Sequence, residues 1–494
     1  MVSEIITGIF GDVTPLAAMI ILVLGALIMP AVQMFGKKHT ATWAVALIFV
    51  VISMLINLCL LVDEYAGGYL GVFIDTYSEL MTLLFQIVLF LVVLVSNASI
   101  ETTRNHCGAY YSLLFGASLG MLFVVTCHDL LTIFVGVELT SISSYALVAL
   151  KRKDGRASEA AVKYAIIGGM STALTLYGIS MIYGVAGTTD TADLALFVAS
   201  QTDVTWAFGI GIIAMIAGYG FKIAAVPFHM WAPDVYEGAA SPISMFLATG
   251  SKKMGLAVFI QIFLVMFIGA ATVGEIYGEI AQYTFAIIAA ITMTVGNVVA
   301  IAQSNIKRML AYSSIAQAGY ILIIMAVMTP EAAAAGTFHM FTHVFMKGGA
   351  FLIVGALICA GIGEKISDYK GLAKRSPVLA FAMMLFLFSL AGIPPLAGFT
   401  SKFFLFASAV GVPGEASGEF VWLAFIAILN SAISLYYYAR VVKAMYIEKG
   451  ASTEKIKIPA AFAVAIAICI VFVIVLGVYP DLLFGYCESA FALL

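Results

Sequence analysis

Residues 128–156 read HDLLTIFVGVELTSISSYALVALKRKDGR, and the fold follows from how this stretch is taken. The run 130–149 is apolar and about as long as the roughly 20 residues of helix that cross a bilayer core. It ends on Lys151, Arg152, Lys153 and Arg156, the kind of basic loop that stays on the cytoplasmic side of a membrane. Glu138 stands in its middle, where a charge costs about 2.5–3.5 kcal/mol on insertion scales. One segment therefore supplies a span, an orientation and a residue that needs a functional reason.

The same grammar runs through the rest of the chain. Of 494 residues, 63% are hydrophobic and 10% charged, with 35 Phe and 44 Gly, against about 45–50% apolar and 25% charged in soluble domains. A soluble enzyme, a secreted disulfide scaffold and a nucleic-acid binder are excluded. A transmembrane barrel is excluded as well, because the apolar runs are continuous and do not alternate. The expected fold is all-α and polytopic, with fourteen spans near 13–35, 41–62, 78–98, 109–127, 130–149, 160–185, 205–227, 240–268, 279–302, 309–328, 332–361, 377–411, 419–446 and 459–479. The first twelve residues hold Glu4 and Asp12 but no Lys or Arg, so no cleavable signal is expected and insertion relies on the first span. Cys59, Cys107, Cys127, Cys359, Cys469 and Cys487 are scattered singly. They read as small buried apolar residues, with no metal or redox role expected.

Loop charges test the count. Loops after odd-numbered spans hold Lys37 and Lys38, Arg104, the 151–156 cluster, Lys307 and Arg308, then Lys365, Lys370, Lys374 and Arg375, then Lys449, Lys455 and Lys457. Loops after even-numbered spans hold no Lys or Arg but carry Asp63, Glu64, Asp190, Asp193, Asp203, Glu275, Glu331 and Glu415. A miscounted helix would scramble this alternation. The basic loops are expected in the cytoplasm and both termini outside.

Lys163, Lys222, Lys252, Lys253, Lys347 and Lys402 remain inside apolar runs, with Glu138 as the one carboxylate well inside a span and with His339 and His343 beside them. Lys253 is the expected exception, since two adjacent lysines cannot share a helix face. Lys222 lies five residues before Pro227, and Lys402 lies seven after Pro395. Both prolines should interrupt their helices, and interrupted helices beside charges are where transporters solvate ions. His229 follows Lys222 by seven residues and would share its face if the helix continued. His339, His343 and Lys347 are spaced i, i+4, i+8 and form one stripe. Histidine exchanges protons near pH 6.5, which favours a proton path over a structural polar contact or a zinc site.

Spans 4–8 and 9–13 each contain five helices, so the second unit must enter the membrane from the opposite side. The expected organisation is a three-helix segment at 1–108, repeats at 109–268 and 279–446 with broken helices seven and twelve, and a last helix in 459–494.

HDLLTIFVGVEL at 128–139, EAAVKYAIIGG at 159–169, VPFHMWAPDVYEGA at 226–239, NIKRMLAYSSIAQAGY at 305–320 and LAGIPPLAGFTSKF at 390–403 resemble the antiporter-like subunits of complex I. The APDVYEGA and AVKYAIIGG stretches are most similar to the N-type subunit. The 15 residues after Tyr479 leave no room for the lateral helix of the L-type subunit. The pair His339–His343 looks more like the M-type and Mrp antiporter subunits. The resemblance implies that Glu138 is the family's fifth-helix glutamate, and that Lys163, Lys222, Lys252 and Lys402 are the lysines of helices six, seven, eight and twelve. It implies a proton-translocating subunit of a redox-driven pump in an energy-transducing membrane, with other membrane-arm subunits as partners. Flavin, iron–sulfur clusters and a quinone-like acceptor would sit on those partners and no cofactor on this chain. The electron donor in such enzymes is NADH, ferredoxin, a reduced deazaflavin or plastoquinol. A relay is then expected in which Lys222 is loaded against Glu138 and Lys252 and the histidine stripe lead to Lys402. The alternative is an Mrp-type monovalent cation/proton antiporter subunit.

Overall fold

A computed structural model describes residues 2–35, 39–99, 101, 106–151, 154–201, 203, 205–272, 276–411, 418–450 and 454–492. Of the loop charges above, Lys37, Lys38, Arg104, Arg152, Lys153, Glu275 and Glu415 lie outside the described residues. Thirteen helices among the described residues are long and apolar enough to span a bilayer: Ile5–Phe35, His39–Val62, Thr76–Ser96, Cys107–Thr126, Leu130–Val148, Gly155–Ala186, Trp206–Ile223, Ser241–Gly269, Ile276–Ile301, Ile306–Val327, Pro330–Cys359, Val421–Tyr446 and Ala460–Val478. The expected twelfth span is two pieces, Pro377–Ala391 and Ala397–Val410, of 15 and 14 residues. At 1.5 Å per residue neither reaches across a core of about 30 Å, so they cross only as a pair. Numbering that pair as the twelfth gives fourteen spans in the order expected.

The alternation of loops is visible as contact between them. Loops after odd-numbered spans meet one another: Lys151 with Glu101 at 3.2 Å, Asn305 with Glu237 at 3.0 Å, Lys307 with Glu364 at 3.0 Å, and Lys370 with Glu448 at 2.9 Å. This is the basic face. On the opposite, acidic face, Phe73 stacks on His128, Asp129 bridges Asp190, and the Thr205 N–H donates to the Tyr277 hydroxyl. Phe491 packs on Tyr77 and Ile6 clusters with Leu60, which brings both ends of the chain to the acidic face. A hairpin of β1 (Gly67–Tyr69) and β2 (Val72–Ile74) also lies there. Its two-residue turn, Leu70 and Gly71, has both φ values positive, the twist that suits paired strands. The helices Thr191–Ala199 and Asp481–Ser489 are further additions to the apolar-run reading.

Two local devices recur five crossings apart, and hence on opposite faces. Asp129 caps the fifth span by accepting from the N–H groups of Leu131 and Thr132, while Leu130 N–H donates to Thr189 O and Thr191 N–H to His128 O. Asn305 caps the tenth span through Lys307 and Arg308, while Ile306 N–H donates to Glu364 O and Ile366 N–H to Ser304 O. The helix breaks correspond too, with Ala224 and Gly392 each ending a helix in the left-handed region ahead of a cis proline, Pro227 and Pro395. The two five-helix units are therefore inverted copies in their construction.

Burial is uneven. The eighth, tenth and eleventh spans are 89%, 94% and 94% buried, and the sixth only 28%. Of the eight lysines and histidines named inside apolar runs, the inner three hold five, Lys252, Lys253, His339, His343 and Lys347, and no lipid-facing side is left to which those groups could snorkel. Neighbouring spans pack without spacers at places; a Cβ on Gly120 of the fourth span would lie 2.4 Å from Gly136 O of the fifth.

Candidate functional site

The first repeat gathers its polar groups around the break of the seventh span. Glu138, at the centre of the fifth span, is half-buried, and Thr172 Oγ1 donates to its Oε1 at 2.9 Å. Lys222, 2% exposed, donates from Nζ to Ser141 Oγ at 2.8 Å. Ser141 stands three residues beyond Glu138, one helical turn along the same face. Its own hydroxyl donates to Val137 O at 2.7 Å, which aims its lone pairs at the lysine. Glu138 and Lys222 do not form a direct ion pair. A cavity of about 10 Å³ lined by Glu138, Ser141, Thr172 and Lys222 separates them, room for roughly one water. The helix ends at Ile223, so His229 does not share a face with Lys222. It lies in the interrupted segment, nearly buried, with no partner for Nδ1 among the described residues. The carbonyl of Phe221, in the last turn before the break, accepts from Ala224 N–H at 2.9 Å and from Trp231 Nε1 at 2.8 Å. Trp231 stacks on Tyr164 at 4.5 Å, and Lys222 Nζ lies 5.8 Å from the centroid of that Tyr164 ring.

At the centre stand Lys252, Lys253 and His343, all buried. Neither lysine nitrogen and neither ring nitrogen of His343 has a hydrogen-bond partner among the described residues. Lys252 Nζ lies 5.8 Å from the Tyr236 ring centroid. Lys253 is not the exception expected: the eighth span is enclosed on every side, so adjacent lysines pointing in different directions are both buried. Wider π-helical turns at Leu247–Ser251 and Phe259–Leu264 flank them, a deviation often found at functional positions.

In the second repeat, Lys402, His339 and Lys347 are hydrogen-bonded. Lys402 Nζ, above the Tyr320 ring at 4.8 Å, donates to Leu390 O at 2.7 Å and Ser431 Oγ at 2.9 Å. Leu390 O, freed by the break of the twelfth span, also accepts from Gln317 Nε2 at 3.3 Å. Gln317 Oε1 meets His339 Nε2 at 2.9 Å, and His339 Nδ1 meets Ser401 Oγ at 2.8 Å. Lys347 donates to Leu310 O and to Ser313, which in turn contacts Tyr438. The His339–His343–Lys347 stripe thus exists as spaced, with partners at its two ends and none at its middle. A cavity of about 630 Å³ lies beside Lys402 and Ser431 and is otherwise apolar. Its walls include Phe403 and Ile428, which are 58% and 57% exposed, so it opens laterally.

Lys163 is not brought to this band. Its side chain is 42% exposed and pairs with Asp234 at 2.8 Å and Glu159 at 2.7 Å. Asp234 also takes Arg308, two residues into the tenth span, at 2.6 Å, which sets Lys163 near the basic face instead of mid-membrane. Glu138 is the one carboxylate well inside a span among the described residues; Glu79, in the first turn of the third, is 1% exposed, and neither of its oxygens has a partner among the described residues. On the basic face itself, burial would raise Glu101, but Lys307, Lys151 and the Ser241 N–H together hold it below the usual carboxylate range. Asp234 is similar, with Lys163 and Arg308 outweighing its burial and lowering it. Ser141, Thr172, Ser313, Gln317, Ser401 and Ser431 escaped the sequence reading. Their only signal was a polar residue three or four positions from a charge, or opposite a break.

Residues 127–434 match the family model described as NADH:quinone oxidoreductase/Mrp antiporter, TM. The F(420)H(2) dehydrogenase subunit N of Methanosarcina mazei is 43% identical over 423 residues, covering 83% of this chain and 82% of that protein. The chain belongs to the antiporter-like subunit N family. Within this family, the NADH-quinone oxidoreductase subunit N of Bacillus anthracis is 37% identical, with 96% of this chain and 94% of that protein covered. Among solved structures, a chain of respiratory complex I from Thermus thermophilus with bound aureothin superposes with a TM-score of 0.79 at 26% identity, covering 96% of this chain and 99% of that one. The N-type relatives resolve the M-type suggestion carried by His339 and His343.

Proposed function

We propose that this N-type subunit carries protons across an energy-transducing membrane as part of a complex I-type oxidoreductase, through the band from Glu138 to Lys402. The observation that carries this reading is the order of the band: hydrogen-bonded clusters around Lys222 and Lys402, with Lys252, Lys253 and His343 buried and unpartnered between them. Buried polar groups with empty hydrogen-bonding places hold water or exchange protons with it. Lys222 is the loading site against Glu138; Lys252, His343 and His339 lead onward; Lys347 flanks the path; Lys402 is the last group. His229 connects the break to the basic face. Two unit charges about 4 Å apart interact by roughly 4 kcal/mol at an effective dielectric near 20, and moving one charge against 100 mV costs about 2.3 kcal/mol. One switching pair is therefore adequate for one proton.

Energy comes from partner subunits that hold flavin, iron–sulfur clusters and a quinone-like acceptor. Glu138, half-buried in the first repeat, and Lys402, beside its lateral cavity in the second, suit a subunit that passes electrostatic signals sideways to membrane-arm neighbours. The basic face lies in the cytoplasm and both termini outside. A cation/proton antiporter reading is second, kept by the family model's breadth. It is disfavoured by a band holding one carboxylate and five lysines, since sodium wants oxygen ligands.

The test is pumping by the assembled enzyme in sealed vesicles. Glu138→Gln and Lys222→Ala should each lower it sharply, and the double variant little more than either, because groups acting as a unit are non-additive. Full pumping by Lys222→Ala sinks the relay, and sodium-stimulated transport by the chain alone favours the antiporter.

A further inference from the structure

The short helix Trp231–Gly238, which follows the break of the seventh span, is held in two different ways. Its first residue is fixed by aromatic contacts beside Lys222: Trp231 stacks on Tyr164 and donates to Phe221 O. Its middle and end are fixed by ions that belong to both repeats. Asp234 gives one oxygen to Lys163 of the sixth span at 2.8 Å and the other to Arg308 of the tenth at 2.6 Å. Glu237 takes Arg308 at 2.9 Å and Asn305 Nδ2 at 3.0 Å. Lys163 immediately precedes Tyr164, so the ionic and aromatic contacts join the same two helices about one turn apart. Both flanking segments are non-helical, Ala224 being in the left-handed region and Ala239 extended. The short helix has the form of a lever, with a partly exposed ionic end and an aromatic end beside Lys222.

We propose that Asp234 is a positioning residue for proton loading: by bridging Lys163 and Arg308 it sets where the lever lies between the two repeats, and so whether the Trp231–Tyr164 pair closes Lys222 from the basic face. The inference rests on the relay reading of Lys222. Asp234 itself need not pass a proton. Release of either cation leaves the carboxylate with one partner, and the lever then follows the repeat that still holds it. The lever is thus the part through which a displacement of one repeat reaches the loading site of the other.

The test locks the lever. In the assembled enzyme, Glu237→Cys with Asn305→Cys replaces two side chains that are hydrogen-bonded at 3.0 Å and leaves Asp234 in place. Oxidation to the disulfide should reduce redox-driven proton pumping at least tenfold, and reduction should restore it. Pumping unchanged by the crosslink means the lever is a static clamp and overturns the proposal. In parallel, Asp234→Asn should lower pumping at least tenfold and Asp234→Glu should retain most of it; an Asn variant that pumps normally also overturns the proposal, including where the cysteine pair fails to assemble. Lys222→Ala separates the two ideas. If it pumps normally, the relay has failed; if it does not while the locked enzyme does, only the lever has failed.

Discussion

Replacing Ser141 by alanine tests the loading site at its least expected atom. Among the described residues Lys222 Nζ has one hydrogen-bond partner, Ser141 Oγ at 2.8 Å, and the centroid of the Tyr164 ring lies 5.8 Å from it. The Ser141 hydroxyl proton is committed to Val137 O, so the serine acts on the lysine purely as an acceptor. A hydrogen bond to a charged group is worth about 1.5–3 kcal/mol. At 1.36 kcal/mol per decade, its loss disfavours the loaded lysine by about 10- to 150-fold. The side chain removed is one atom, so packing changes little. Proton pumping per electron, read from a pH-sensitive dye in sealed vesicles beside the rate of electron transfer, should fall by at least tenfold in Ser141→Ala. Ser141→Thr, which keeps the oxygen, should retain most of it. If the alanine variant pumps normally, Lys222 is not loaded through this contact and the geometry around it is structural.

The remaining predictions concern the scaffold. Glu101 is held below the usual carboxylate range in the folded protein, so its contribution is present at neutral pH and is lost as pH falls through that lowered value. Glu101→Gln should lose about 1.5–3 kcal/mol at pH 7 and show a flatter acid limb in thermal unfolding; an unchanged acid limb would refute this. Gly120→Ala should destabilise by about 1–3 kcal/mol through overpacking, because the new methyl meets backbone oxygen at 2.4 Å. Gly169→Ala, with open space around it, should not. In a background lacking the six native cysteines, single cysteines at Arg156 and Lys374 should be labelled from one side of the membrane and one at Asp193 from the other. Labelling of Arg156 and Lys374 from opposite sides would break the span count.

The sequence by itself determined the span number, the common face of the two termini, the two interruptions and most of the charged members of the band. Each of these is a one-dimensional signal. Apolar length answers to bilayer thickness, loop charge to the cost of translocation, and proline to a missing backbone donor. Tertiary structure decided where a charge inside an apolar run comes to rest. Lys163 and Lys222 both follow the same rule in sequence, yet one lies in the most exposed span beside Asp234 and the other under aromatic rings at a break. Lys253 is buried because the eighth span is enclosed on every side, a property of its neighbours and not of its own residues. Ser141, Gln317 and Ser431 became partners only when helix breaks brought carbonyls and lysines to them. A neutral polar side chain costs little in a span and leaves no pattern, so its role is set by what packs opposite.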